Sequence, residues 1–189
     1  MNTGIFIIVT TDIMKIFSKI LHFFLMIICL LLQLVFFEYL KMYYISSDLI
    51  MVVIIAIALF DGTLPGALSG FIAGMTLDLM AGNITGISAF IYAIDSFIVN
   101  KLVTAGFKPA WTTYSFLVFL VTEINILISN LVHYLFNFNI DWSAISLELL
   151  VRPVCNIVLM FIIFPLIKMS SGRSESEEVK FGIQYKDKI

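Results

Sequence analysis

Apolar residues fall in six long blocks, at about 17–37, 49–60, 64–80, 86–104, 113–135 and 146–168, with polar residues gathered in short turns between them. The turns carry Lys41, Asp48, Asp61, Gly82, Asn83, Lys101, Lys108, Pro109, Asn137, Asn139 and Asp141. The first, fifth and sixth blocks approach or exceed the roughly 20 residues with which a helix crosses a ~30 Å hydrocarbon core. The block 49–60 would reach only about 18 Å at ~1.5 Å per residue. It predicts either a thin-membrane span or half of a helical hairpin. The pattern as a whole predicts an all-α fold: a polytopic membrane helix bundle of about six transmembrane helices.

Composition excludes the soluble alternative. Hydrophobic residues make up 61% of the 189 and charged residues 13%, against roughly 45–50% and about 25% in soluble domains. Nearly everything before residue 170 belongs to an apolar stretch, and no linker divides the chain. We expect one transmembrane domain, 1–169, and a short tail, 170–189. The tail mixes Ser, Glu and Lys without apolar periodicity, so it is expected to be solvated, disordered and cytoplasmic. A partner-binding role for it stays open.

The net charge of -2 matters less than where the cations fall. Six spans with a cytoplasmic N-terminus collect Lys15, Lys19, Lys101, Lys108, Lys168, Arg173, Lys180, Lys186 and Lys188 on the cytoplasmic side, leaving Lys41 and Arg152 outside. This bias predicts both termini in the cytoplasm. The apolar run 23–37 is longer than a signal-peptide core and leads into Glu38, Tyr39 and Lys41 without an Ala-x-Ala-like site, so the first helix should remain as an anchor. Residues 14–19 read as a basic start to that helix, and translation is expected to begin at Met14.

The stretch 65–86 reads PGALSGFIAGMTLDLMAGNITG. It places Gly66, Gly70, Gly74, Asp78 and Gly82 at spacings of four, along one ridge of a helix, with Ser69 and Ala73 widening the small surface. Glycines so spaced let another helix backbone approach closely, which is how membrane helices pack without a hydrophobic driving force between them. Asp78 lies on the same ridge, and a charged aspartate near the centre of a span costs about 2.5–3.5 kcal/mol on insertion scales. It should therefore face protein. A hydrogen-bonding role and a functional one, in partner contact or an ion pair, both remain open.

Other polar residues within spans are Asp95, Glu123, Asn125, His133, Arg152 and Asn156. Pairing them costs less than leaving any alone in hydrocarbon, and an Arg152 pair with Glu123 or Asp78 is one arrangement. No catalytic constellation emerges: the chain has no phosphate-binding glycine loop with its Lys, no HExxH and no nucleophile elbow. His22 and His133 fall on opposite sides of the membrane, and Cys29 and Cys155 lie singly in apolar stretches. No catalytic residue, cofactor or metal is expected, nor a nucleic-acid partner. Asn83-Ile84-Thr85 matches a glycosylation sequon in a turn too tight against the membrane to be used.

Three runs then carry a family resemblance: Ser47-Asp48-Leu49; Gly66-Ala67-Leu68-Ser69-Gly70-Phe71-Ile72-Ala73-Gly74-Met75-Thr76-Leu77-Asp78; and Gly86-Ile87-Ser88-Ala89-Phe90-Ile91-Tyr92. Together they resemble the MreD family of bacterial rod shape-determining proteins, over about 47–100. The departures are Ser47, where the family often has Pro, and Asp95, in a stretch that members usually keep apolar. The resemblance implies a multi-pass protein of the bacterial inner membrane, without enzymatic activity, in the machinery of cell-wall elongation and peptidoglycan synthesis. Expected partners are the lipid bilayer, MreC, the actin-like MreB, the RodA glycosyltransferase and a class B penicillin-binding protein. Gly66, Gly70, Phe71, Gly74, Asp78 and Gly86 are then packing and interaction residues.

Two other classes compete. The size and hydropathy also resemble the substrate-binding membrane subunit of energy-coupling-factor vitamin transporters. Those need a small-residue docking face on the first helix, where residues 20–40 present bulky Phe, Leu and Ile. An intramembrane enzyme built on Asp78 and Asp95 would need the two carboxylates to converge and share a proton.

Overall fold

With no water in a hydrocarbon core to take up backbone N–H and C=O groups, an apolar chain satisfies them within helices. In the computed structural model, which describes residues 20–22, 24–37, 47–81, 85–105, 110–136 and 142–170, every regular element is helical. The expectations about a start at Met14, Lys41, Gly82 and Asn83, Lys108 and the tail beyond Ser170 lie outside the described residues.

The helices are α1 (Ile20–Val35), which runs into a π-helical turn at Gln33–Phe37, α2 (Leu49–Phe60), α3 (Thr63–Ala81), α4 (Ile87–Thr104), α5 (Trp111–Leu135) and α6 (Trp142–Ser170). Four of them are long and apolar enough to cross a membrane, over Thr63–Ala81, Ile87–Thr104, Trp111–Val132 and Ile145–Met169. The apolar helices α1 and α2 are shorter.

α2 is the centre of the bundle. Its sequence, LIMVVIIAIALF, is rich in β-branched residues that favour strands in water, yet a lone strand there would leave its backbone groups unpaired. Ile50 and every residue from Val52 to Ala56 are fully enclosed, and only Leu59 of the twelve is outside the buried set. The long helices, by contrast, bury 33% of their most apolar windows and form the outer ring. α3, α4 and α6 pack directly on α2.

α2 also occupies only half the depth of the bundle. At its C-terminal end Phe60 meets Tyr114 (6.0 Å between ring centroids), near the start of α5, and Phe164 (5.9 Å), near the end of α6. Trp111 joins this cluster by stacking on Phe161 at 5.6 Å. At its N-terminal end the Asp48 amide donates to Asn156 Oδ1 at 2.8 Å, midway along α6. Met51 lies 4.0 Å from Thr122, midway along α5. The α1 helix runs antiparallel to α2: His22 pairs with Asp61 at 2.7 Å at one end, and Gln33 accepts from the Leu49 amide at 2.8 Å at the other.

Candidate functional site

The glycine ridge of α3 lies against α4. A Cβ on Gly74 would stand 2.5 Å from the Cα and N of Ala89, and one on Gly70 would stand 2.8 Å from the Tyr92 carbonyl oxygen. At Gly66 the obstacles are Ala58 Cβ and Ser96 Oγ, both at 2.8 Å, so this glycine fits where α2, α3 and α4 meet. Ala73 is buried beside the ridge, and Ser69 donates back to the Gly66 carbonyl at 2.9 Å. Phe71 points the other way and is 50% exposed. It belongs to the outer surface of α3 with Leu68 and Ile72.

Asp78 closes the ridge. Its Oδ2 accepts from the Gly86 amide at 2.8 Å and the Ser88 amide at 3.0 Å. These are among the N–H groups at the start of α4 that no intrahelical carbonyl can reach. Buried to 1% exposure, the Asp78 side chain thus caps a neighbouring helix at its N-terminal end. Gly86 holds φ at +99°, with nothing near its missing Cβ. Glycine is needed there for backbone conformation, not for space.

A second polar cluster gathers around the start of α2. Asp48 Oδ1 accepts from the Met51 amide at 3.0 Å, the usual N-cap bond. Its carboxylate also accepts from the Tyr92 hydroxyl, 2.8 Å to Oδ2. Asn156 Nδ2 donates to Thr122 Oγ1 at 3.1 Å, and that hydroxyl donates to the Val118 carbonyl at 2.6 Å. Gln33 Nε2 donates to the Ser47 carbonyl at 3.3 Å. Asp48 itself joins α2, α4 and α6, and Gln33 and Asn156 extend the network to α1 and α5.

Asp95, the departure from the family pattern, faces inward at 1% exposure and accepts from Asn125 Nδ2 at 2.9 Å. It does not meet Asp78. Asp78 bonds at residues 86 and 88, and Asp95 lies about 10 Å further along α4 at ~1.5 Å per residue. Arg152 pairs with Glu148, one turn back on α6, at 2.7 Å, rather than with Glu123 or Asp78.

No motif in the sequence points to Gln33 or Thr122, whereas Asp48 falls both in a turn and in the first of the runs that carry the family resemblance. The available signal was a polar side chain breaking an otherwise unbroken apolar block, as Gln33 does between residues 23 and 37.

Compared with known proteins, the chain is matched by the model of the family described as rod shape-determining protein MreD over residues 11–170. Neither a curated protein nor a solved structure matches it.

Proposed function

The chain belongs to the MreD family of rod shape-determining proteins of the bacterial inner membrane, and on that premise we propose that it is a non-enzymatic scaffold for cell-wall elongation. In this role it holds MreC, and with it MreB, RodA and a class B penicillin-binding protein, through helix–helix contacts and without turnover. The observation that carries the reading is how the polar groups are used. Asp78 and Asp48 each cap a helix of this chain, Asp95 is held by Asn125, and the glycine ridge brings α3 against the α4 backbone. These contacts tie the helices to one another and leave an apolar outer surface, suited to holding other membrane helices.

The orientation proposed has both termini in the cytoplasm, six membrane-embedded helices and a cytoplasmic tail. Lys101 in the last turn of α4 and Lys168 in the last turn of α6 lie at the end where α2 finishes. Trp111, 48% exposed, and Tyr114 are at the same end, where Trp and Tyr anchor at a membrane–water interface.

The test is mild-detergent purification of the tagged, natively expressed protein from its own cells, with partners identified by mass spectrometry. Recovery of MreC and wall synthases supports the scaffold. Recovery of cytoplasmic ATPase subunits with a bound small molecule would replace it with the transporter reading.

A further inference from the structure

Glu123 stands midway between Trp111 and Leu135 on α5, between exposed apolar residues. Phe116 (47% exposed), Phe119 (46%), Leu127 (61%) and Tyr134 (64%) flank it on the outside, while Val118, Val121, Thr122 and Ile126 are fully buried on the inside. Phe116, Phe119, Glu123, Leu127, Asn130 and Tyr134 follow one another at steps of three and four residues. At 3.6 residues per turn they fall within roughly 80° of arc, the narrow seam along which a second helix packs. Among the described residues, Glu123 has no hydrogen bond or ion pair and no charged neighbour. Every other acidic side chain described within the long helices has a partner inside the chain.

We propose that this seam is the docking face for one transmembrane helix of a partner protein, carrying a side-chain N–H donor (Lys, Arg, Asn or Gln) at the depth of Glu123. Acyl chains offer a mid-core carboxylate no donor, so lipid alone leaves it uncompensated. A second copy docked on the same face by a two-fold axis would set Glu123 against Glu123, which supplies no N–H donor. A donor-bearing helix supplies what both lack, and interhelical hydrogen bonds of this kind specify partners in membranes. The inference rests on the scaffold reading for the class of partner and adds to it a face and a contact.

The test places a photo-crosslinking residue at Phe119 or at Leu127 of the full chain, expressed in its own cells, with Phe97 on the outer face of α4 as comparison. Cross-links from 119 and 127, and not from 97, should map to one transmembrane peptide with an N–H donor within a turn of the linked position. E123L should lower that yield about fivefold, the order expected for one interhelical hydrogen bond, whereas E123Q, still an acceptor, should keep most of it. Cross-links only to lipid, cross-links to a second copy, or a yield indifferent to E123L would each overturn the proposal. Partner recovery by affinity purification is scored in parallel. Lipid-only cross-links with wall synthases still recovered reject this face but leave the scaffold. A donor-bearing helix from a protein outside wall synthesis keeps the face and rejects the scaffold reading.

Discussion

A methyl group at Gly74 would have to displace the backbone of Ala89, not the end of a flexible side chain. Gly74→Ala is therefore expected to destabilise the protein by about 1–3 kcal/mol, as overpacking does, and to lower its melting temperature in detergent. Phe71→Ala, on the outer surface, should leave that melting temperature within the range of ordinary surface changes, about ±0.5 kcal/mol. If Phe71 is an interaction residue, its loss will show in partner recovery instead. Asp78 separates two roles through its replacements. Asn retains an acceptor for the Gly86 and Ser88 amides and should keep the cap, whereas Ala should cost about 1–2 kcal/mol. The glycines were legible because their period of four needs no tertiary information. Which groups Asp78 bonds was not, because that depends on the start of α4 lying against the end of α3, which no local pattern gives.

Among the elements, α2 holds the least expected arrangement. Its length gave away that it could not span a membrane of ordinary thickness, but nothing local says that it is enclosed on all sides. That follows from how the longer helices gather round it, and a uniformly apolar helix has no polar face to mark its outside. The start of α2 is fixed by Asp48, so Asp48→Ala removes a cap and strands the Tyr92 hydroxyl. The expected loss is about 2 kcal/mol or more, and Tyr92→Phe together with Asp48→Ala should recover part of it. A thermal-melt double-mutant cycle reads this directly: strictly additive effects would mean the contact has no energetic weight. Asp95 shows a related limit. A carboxylate within an apolar block is costly against lipid, and the structure turns it inward onto Asn125, a partner thirty residues away that periodicity alone could not select.

For the whole molecule, the all-helical membrane class was readable from block lengths and composition, because a chain so apolar has few other ways to satisfy its backbone. The family was readable from a short run in which glycine spacing, Asp78 and Gly86 recur together. Orientation rests on the distribution of cations. In a variant with Cys29 and Cys155 replaced by Ser, a cysteine at Thr104 should react with a membrane-impermeant maleimide only from the cytoplasmic side, and one at Thr85 only from outside. The reverse pattern would invert the proposed topology.

The central claim is that this chain supports rod shape by holding helices in place and not by chemistry at its carboxylates. The most direct measurement is the cell width and lateral wall incorporation of cells whose only copy carries both Asp78→Asn and Asp95→Asn, beside cells carrying Gly74→Leu. Both asparagines can keep the hydrogen bonds seen here, so the double variant should remain rod-shaped while Gly74→Leu rounds the cells. Rounding of the double variant with the protein present at normal level and normally folded would contradict the claim and return the carboxylates to a catalytic or ionic role.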